Sequence, residues 1–442
     1  MQLFSRVEDV SIKIWSKITS KGPLQKAALT AGLLLVLISG INTVYRASNG
    51  HGSQFDDFLW FSEDLLYDHI NVYEEYSFEM TTIGKYPPFF AVLFAPLVPL
   101  PYLLGAAVWF LIRLTILYFA SQAIARMGWN LFKGKGTAPP VAWWVVPLLM
   151  SIVILLSNFG GSQINIFVFS LVVLGLDNFI NRKEHFAGLL IGVATAIKLT
   201  PGLFVLYFAY KGNWKTVLWA ALGGLLCWGV ILPLITGPEF YMEVMKSWVA
   251  MLQLYAAEGA NVDGPMIYRH PNQSLEAVIF RFFTHSYADG GFDNFYVNLI
   301  NIPLATADII VKILRVSLLV WLAFLCRTST SNRNRPELMF EFSLIYMATL
   351  YISPISWNSH YVVMIMAYAT ALYYLACTEK NHNLRNQLLM ALIVGVFLGN
   401  LTHPIFMAFS IPFIGSVVLF VTMARILRKQ RGTEELVFHQ QK

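Results

Sequence analysis

Three long stretches of this chain carry no charged residue: 27–44, 141–167 and 216–237. Each is close to the roughly 20 apolar residues that cross the hydrocarbon core of a bilayer as a helix. Across all 442 residues, 57% are hydrophobic and only 13% are charged. Soluble domains carry about twice that share of charge, which they need to cover their surface. The sequence therefore predicts an all-α, polytopic transmembrane protein in contact with membrane lipids.

The formal net charge of +6 does not form a single patch. Basic residues occupy short polar breaks between apolar runs, which is the pattern of cytoplasmic loops in membrane proteins. We therefore expect no nucleic-acid partner, and we expect these breaks to lie on the cytoplasmic side. The breaks are Lys13 to Lys26, Arg126 to Lys135, Arg182 and Lys183, Lys211 to Lys215, Arg327 to Arg335, and Arg425 to Arg431.

Alternating these breaks with apolar runs predicts about 12 membrane segments in one domain, 27–424. Residues 1–26 and 425–442 are then cytoplasmic, so both termini lie on the inner side. Two long outer segments, 47–102 and 237–305, are expected to carry interfacial helices. The expected spans lie near 27–46, 103–126, 141–158, 163–181, 185–210 (counted as two), 216–236, 308–326, 337–353, 358–376, 387–402 and 405–424.

Segment 185–210 has basic residues on both flanks, so it should leave and return on one side. Its length of about 26 residues is too short for two full spans, which need about 40. Pro201 breaks helices, so we predict two short helices meeting at Lys198 and Pro201. One long kinked helix is the alternative. An ionised lysine at membrane depth costs about 2.5–3.5 kcal/mol, and Arg113 is a second cation of this kind.

Such cations need an anionic partner, which a phosphate of a lipid-linked donor would supply. An ion pair with an outer carboxylate, or snorkelling to the interface, is the alternative for Lys198. In the first outer segment, Phe58, Phe61 and Leu65 recur at helical spacing behind Asp56 and Asp57. This pattern predicts an interfacial amphipathic helix. A carboxylate in its first turn is either a general base toward a sugar hydroxyl or a helix cap.

Further polar clusters face outward in this topology. Amides and aromatic rings suit sugars, whose hydroxyls need hydrogen bonds and whose ring faces stack on aromatic side chains. Helix capping and an interfacial aromatic belt are the alternatives. The candidate substrate-binding residues are Tyr86, Gln163, Asn165, Asn272, Gln273 and Trp357, and His360 follows Trp357 closely. No histidine, cysteine and carboxylate set has metal-ligand spacing.

The ordered series of these motifs resembles glycosyltransferase family 87. The series is Asp57-Phe58, Asn71-Val72-Tyr73, Tyr86-Pro87-Pro88, Gly161-Ser162-Gln163-Ile164-Asn165, Lys198-Leu199-Thr200-Pro201, Asn272-Gln273-Ser274 and Ser353-Pro354 through Trp357 to His360. The sequence departs from the usual family pattern at Gly161-Ser162-Gln163, where Gly-Gln is common. It also has one histidine after Trp357 where a pair is frequent.

The resemblance implies a GT-C-like fold and an inverting glycosyltransferase. The donor would be a polyprenyl-phosphate sugar, above all mannose, and the acceptor an extracytoplasmic glycolipid or glycan, with no cofactor and no metal. It further implies that Asp57 is the catalytic base, with Asp56 as the nearby alternative. Lys198, His360 and Arg113 are expected to bind the donor and its phosphate. A transporter or flippase of lipid-linked sugars is the alternative function, but the polar candidates concentrate on one face, which favours surface catalysis.

Overall fold

A computed structural model describes residues 23–49, 54–75, 86–134, 139–258, 268–289, 295–377 and 382–440. Every regular element in these residues is a helix, as predicted. In chain order they are α1 Pro23–Asn49, α2 Gln54–Leu66, α3 Val72–Glu75, α4 Phe90–Phe94, α5 Tyr102–Phe132, α6 Ala142–Met150, α7 Ile152–Gly160, α8 Asn165–Ile180, α9 Glu184–Ile197, α10 Gly202–Tyr210, α11 Trp214–Leu225, α12 Leu232–Thr236, α13 Pro238–Glu258, α14 Leu275–Phe283, α15 Leu304–Leu325, α16 Glu337–Ile352, α17 Met364–Cys377, α18 His382–Gly399, α19 Pro404–Ala408 and α20 Ile411–Gln440.

Within the described residues, five helical stretches are long and apolar enough to cross a membrane by themselves. A sixth is formed by α6 and α7 if the pair, bent by 75° at Ser151, counts as one span. Every predicted span coincides with a helix, but α8 and α9 are shorter than a bilayer requires of a lone helix. The total of about 12 segments therefore stays a prediction, as do the domain limits drawn from it. The five stretches are Leu29–Arg46, Tyr102–Phe132, Trp214–Thr236, Asn358–Cys377 and Ile411–Gln430.

The predicted helical hairpin at Lys198 is confirmed. Helix α9 ends at Ile197, and Lys198 is extended, with φ −151° and ψ 129°. The two basic flanks meet again at the same end, because Arg182 donates to the Ser331 carbonyl at 3.0 Å and Asn213 to the Thr330 hydroxyl at 3.0 Å. Segment 185–210 therefore leaves this end of the bundle and returns to it, which excludes a single kinked helix. Since α9 has 14 residues, Lys198 lies about 21 Å along the helix from that end.

Ion pairs join the basic breaks at this end of the bundle. Arg126 pairs with Asp177 at 2.9 Å, and Arg333 pairs with Glu184 at 2.7 Å. Lys211 pairs with Glu341 at 2.9 Å, and their side chains are only 5% and 0% exposed. The breaks that contain Arg126, Arg182, Lys211 and Arg333 thus lie together, as the charge pattern predicts, whereas Lys13, Lys17 and Lys21 lie outside the described residues. That this end faces the cytoplasm stays a prediction.

Helix α9 packs against α11 through glycines. A Cβ atom on Gly188 or Gly192 would collide with the backbone of Thr216 or Ala220. Small residues at such crossings let two membrane helices approach at backbone distance. The crossing fixes α9, and with it the depth of Lys198.

We expect Gly192→Ala to destabilise the protein by about 1–3 kcal/mol, because the new methyl group must push α9 and α11 apart. Gly224→Ala is the matched control, since an added Cβ at Gly224 meets no atom within 4 Å. Thermal unfolding of both purified variants in detergent measures the difference. Equal melting temperatures for the two variants would show that the crossing is not tightly packed.

Candidate active site

A cavity opens beside the tip of the hairpin, between α8, α16 and the segment that contains His360. Polar and apolar side chains both line it, which suits a ligand with a charged head and an apolar chain. The lining residues are Asn165, Val168, Phe169, Lys198, Thr200, Pro201, Tyr346, Thr349, Leu350, Ser353, Ser356, His360, Val362 and Val363.

Lys198 enters this cavity without a carboxylate partner. Its Nζ donates to the Asn165 side-chain oxygen at 2.7 Å and lies 5.8 Å from the centre of the Tyr86 ring. No carboxylate in the described part of the chain forms an ion pair with it. Two of the three ammonium hydrogens remain for other acceptors. The predicted ion pair with an outer carboxylate is therefore not formed within these residues.

Asn165 is held so that its oxygen faces Lys198. Its Nδ2 donates to Gln163 Oε1 at 3.3 Å and to Ser359 Oγ at 3.1 Å. Ser359 Oγ in turn donates to Gln163 Oε1 at 3.3 Å. This triangle of side chains fixes the orientation of the amide, because the reverse orientation would place an NH₂ group against an ammonium group.

His360 presents a donor to the same cavity. The backbone N–H of Trp357 donates to His360 Nδ1 at 3.0 Å. A neutral imidazole has one donor and one acceptor nitrogen, so the accepting Nδ1 leaves the proton on Nε2. His360 and Lys198 both line the cavity, and both offer hydrogen-bond donors there. The arrangement suits an anion.

Asp56 and Asp57 occupy the first turn of α2, as predicted. Asp56 is exposed and Asp57 is partly buried. Burial is the main cause that raises the pKa of Asp57, and the neighbouring charge of Asp56 adds to it. Asp57 is thus the more buried of the two carboxylates, and a pKa raised by burial is typical of a general base.

Aromatic rings connect this helix to Lys198. Phe58 lies 6.0 Å from the Tyr86 ring, and Tyr86 stacks on Phe90 at 4.3 Å. Phe58 also contacts Phe90 at 4.8 Å. Phe58 follows Asp57 directly, so Asp57 is linked to this aromatic group through its chain neighbour. Direct contacts join Tyr86, Lys198 and Asn165, and the cavity is lined by Asn165, Lys198 and His360.

Arg113 lies elsewhere, fully buried in α5. Its Nη1 donates to the carbonyls of Asn158 and Phe159 at 2.9 and 3.4 Å, at the end of α7. Trp109 donates to the Ser162 carbonyl at 3.0 Å, in the same turn. Arg113 thus supports the turn that carries Gln163 and does not line the cavity.

Asn272 and Gln273 also lie behind the cavity wall, only 1% and 0% exposed. The Asn272 side chain accepts from the Ser356 N–H at 2.9 Å and donates to the Pro354 carbonyl at 2.9 Å. Gln273 donates to the Met407 carbonyl at 2.7 Å. Trp357 pairs with Asn272 through its backbone. These residues fix the loop before His360, and the structure does not bring them into the cavity.

Sequence reasoning missed Ser359, Thr200, Ser353, Ser356 and Tyr346. Thr200 lies in the motif that begins at Lys198, and the three serines lie between Ser353 and His360. Their positions in these motifs could have suggested them. Tyr346 lies in the middle of an apolar helix and gives no sequence signal. No group of three or more histidine, cysteine, aspartate or glutamate side chains within the described ranges could hold a metal ion.

Comparison with known proteins identifies the family. The model of glycosyltransferase family 87 matches residues 85–354, which is more than half of the chain. The chain belongs to glycosyltransferase family 87. The match includes Tyr86, Asn165 and Lys198, whereas Asp57 and His360 lie outside its limits.

Among characterised relatives, a polyprenol-phosphate-mannose-dependent alpha-(1-2)-phosphatidylinositol pentamannoside mannosyltransferase of Mycobacterium tuberculosis is 26% identical over 356 residues, 78% of this chain and 72% of that protein. The enzyme of the same description from Mycolicibacterium smegmatis is 27% identical over 311 residues, 68% of this chain and 63% of that protein. A phosphatidylinositol mannoside mannosyltransferase of Mycobacterium tuberculosis is 33% identical over 144 residues, 30% of this chain and 33% of that protein.

No solved structure is significantly similar to the chain. Family membership and the apolar helices together make this protein an integral membrane glycosyltransferase of the GT-C type. By their descriptions, the pentamannoside mannosyltransferases among these relatives use a polyprenol-phosphate-mannose donor and a phosphatidylinositol mannoside acceptor.

The pH dependence of this glycosyltransferase should report on Asp57. A general base must be ionised, so the rate falls as the pH falls through the raised pKa of Asp57. Asp56→Asn removes the neighbouring negative charge, lowers the pKa of Asp57 and moves this acid limb to lower pH. Profiles of kcat/KM for the acceptor measure the shift. An acid limb that moves to higher pH would contradict this coupling, and loss of all activity would make Asp56 the base.

Proposed function

We propose that this glycosyltransferase transfers mannose from a polyprenyl-phosphate donor to a glycolipid at the extracytoplasmic membrane surface, with inversion at the anomeric carbon. Mannose and the polyprenyl phosphate are named in the descriptions of its relatives. The observation that carries the proposal is the Lys198 ammonium group in the cavity, bonded only to an uncharged amide among its described side-chain partners. A cation at membrane depth is costly unless an anion compensates its charge, and a bound anion would do so here.

The donor phosphate is that anion. Lys198 supplies two free N–H donors, and His360 supplies its Nε2–H. The same cavity is lined by the apolar side chains of Phe169, Leu350 and Val363. A phosphate at Lys198 would therefore leave the first part of a polyprenyl chain against hydrocarbon side chains, whose burial favours binding.

The transfer step needs a base and a stabilised leaving group. The acceptor hydroxyl oxygen forms a bond with the anomeric carbon while the bond from that carbon to the phosphate oxygen breaks. The hydroxyl proton moves to Asp57, and the bonding electron pair stays on the departing polyprenyl phosphate. The phosphate gains one negative charge in this step, so Lys198 and His360 interact more strongly with the transition state than with the bound donor.

Asp57 fits the role of base by position and environment. It is the less exposed of the two carboxylates in the first turn of α2. Tyr86, which contacts both Phe58 and Lys198, would lie at the boundary between acceptor and donor. Asn165 lines the cavity, and Gln163 accepts a hydrogen bond from the Asn165 side chain.

Transport of a lipid-linked sugar is not favoured, because the chain belongs to a glycosyltransferase family. The described helices also give Lys198 an enclosed polar wall instead of a path lined by charges. Activity of the purified protein separates the two functions directly.

We expect purified enzyme in lipid to transfer mannose from polyprenyl-phosphate mannose to acceptors in a membrane extract. Asp57→Asn should lower kcat by about 10²–10⁴-fold, the usual contribution of a general base. Asp56→Asn should retain transfer at neutral pH, which makes it the matched control. Lys198→Ala should lower kcat/KM for the donor by about 10–150-fold, the worth of a hydrogen bond to a charged group.

A folded wild-type protein that moves lipid-linked sugar across the bilayer but transfers none would overturn the proposal. Full activity of Asp57→Asn would remove Asp57 from the base role. Full activity of Lys198→Ala would remove the phosphate assignment.

The proposal uses no metal, because Lys198 and His360 provide the positive charge and the donors at the phosphate. We therefore expect treatment with EDTA to leave the transfer rate unchanged within about twofold. Mannosyl transfer assayed before and after chelation, and again after adding Mg²⁺ or Mn²⁺, measures this. Loss of activity that a divalent cation restores would show that the charge at the phosphate comes from a metal.

A further inference from the structure

The helical stretch from Trp214 to Thr236 contains a π-helical turn, Leu226–Ile231. Such turns insert one extra residue into a helix and occur frequently at functional sites. Trp228 lies within this turn and is partly buried. Its indole Nε1–H donates to the carbonyl of Ala196 at 3.1 Å. The π turn thus directs a side-chain donor toward α9.

Ala196 is in the last turn of α9, two residues before Lys198. The last four carbonyls of a helix have no partner within the helix, and an unpaired carbonyl at membrane depth is costly. The chain becomes extended at Lys198, whose own N–H bonds to the Ala194 carbonyl at 3.0 Å. Trp228 therefore supplies the missing donor at the point where the chain turns out of the helix.

Trp228 is itself supported by a second tryptophan. Its ring lies 5.6 Å from that of Trp248 on α13, at an angle of 62°. Trp248 is 4% exposed, and its indole nitrogen has no hydrogen-bond partner in the described ranges. The two rings pack alike, but only Trp228 uses its N–H group.

Helix α13 also contacts the outer segment above the cavity. Asn71 donates to the Ser247 hydroxyl at 3.0 Å, next to Trp248. Tyr73 donates to the Tyr86 carbonyl at 2.7 Å, and the Tyr86 ring lies over Lys198. Two series of contacts thus connect α13 to Lys198. One runs through Asn71, Tyr73 and Tyr86, and the other runs through Trp228.

We propose that Trp228 is a positioning residue for the Lys198 ammonium group, acting through its hydrogen bond to the Ala196 carbonyl. The inference rests on the proposed function, in which Lys198 binds the donor phosphate. Without this bond the end of α9 frays, the ammonium group samples more positions, and less of it is aligned with the phosphate at any moment. Trp228 itself does not touch the substrate.

The experiment measures binding of polyprenyl phosphate, the expected product, to purified protein in detergent by calorimetry. Trp228→Phe keeps an aromatic ring against Trp248 but removes the N–H donor, and we expect about three- to tenfold weaker binding. Trp248→Phe removes an N–H group that has no described partner, so binding should stay within about twofold of wild type. Melting temperatures of both variants show whether the fold is retained.

A double-mutant cycle separates positioning from general support. In a Lys198→Ala background, Trp228→Phe should weaken binding no further, because the group that it positions is absent. A further loss in that background, or equal losses in the two tryptophan variants, would overturn the inference. So would unchanged binding by Trp228→Phe while Lys198→Ala binds weakly. Unchanged binding by Lys198→Ala would instead overturn the phosphate assignment in the proposed function.

Discussion

The hydrogen bond between Lys198 and Asn165 is the contact on which the site depends. A carboxylate in place of Asn165 would neutralise the ammonium group and leave nothing to attract a phosphate. An uncharged amide satisfies one donor and leaves the charge uncompensated, which is costly at membrane depth. Gln163 and Ser359 hold the amide in this orientation. The protein thus keeps a cation without a compensating charge, and this lowers the local stability, as is common at functional sites.

The other buried cations show the contrast. Lys211 pairs with Glu341 and also donates to the Cys326 carbonyl at 3.0 Å. Arg281 donates to three backbone carbonyls and to Ser410. Arg113 donates to three backbone carbonyls and lies 5.4 Å from the Trp109 ring. Each of these cations joins segments of the fold, and Lys198 is the one directed into the cavity.

The sequence predicted part of this difference between Lys198 and the cations that join segments of the fold. The basic flanks and Pro201 predicted the hairpin that carries Lys198, and the spacing of Phe58, Phe61 and Leu65 predicted the outer helix that carries Asp57. Arg113 and Lys198 could not be told apart, because both are isolated cations in apolar surroundings. Asn272 and Asn165 could not be told apart either. Asn272 joins backbone segments and Asn165 faces the cavity, but the residues around each of them in the sequence do not show this difference.

The sequence by itself determined the helical membrane architecture, because hydrophobic length and charge placement are local properties of a chain, and its ordered motifs determined the family. Only the tertiary structure decided which polar groups meet. The Ser359–Gln163–Asn165 triangle and the bond from Trp228 to the Ala196 carbonyl join residues far apart in the chain. Contacts between such distant residues depend on how the helices pack, and the close crossing of α9 and α11 at Gly188 and Gly192 fixes the helix that ends just before Lys198.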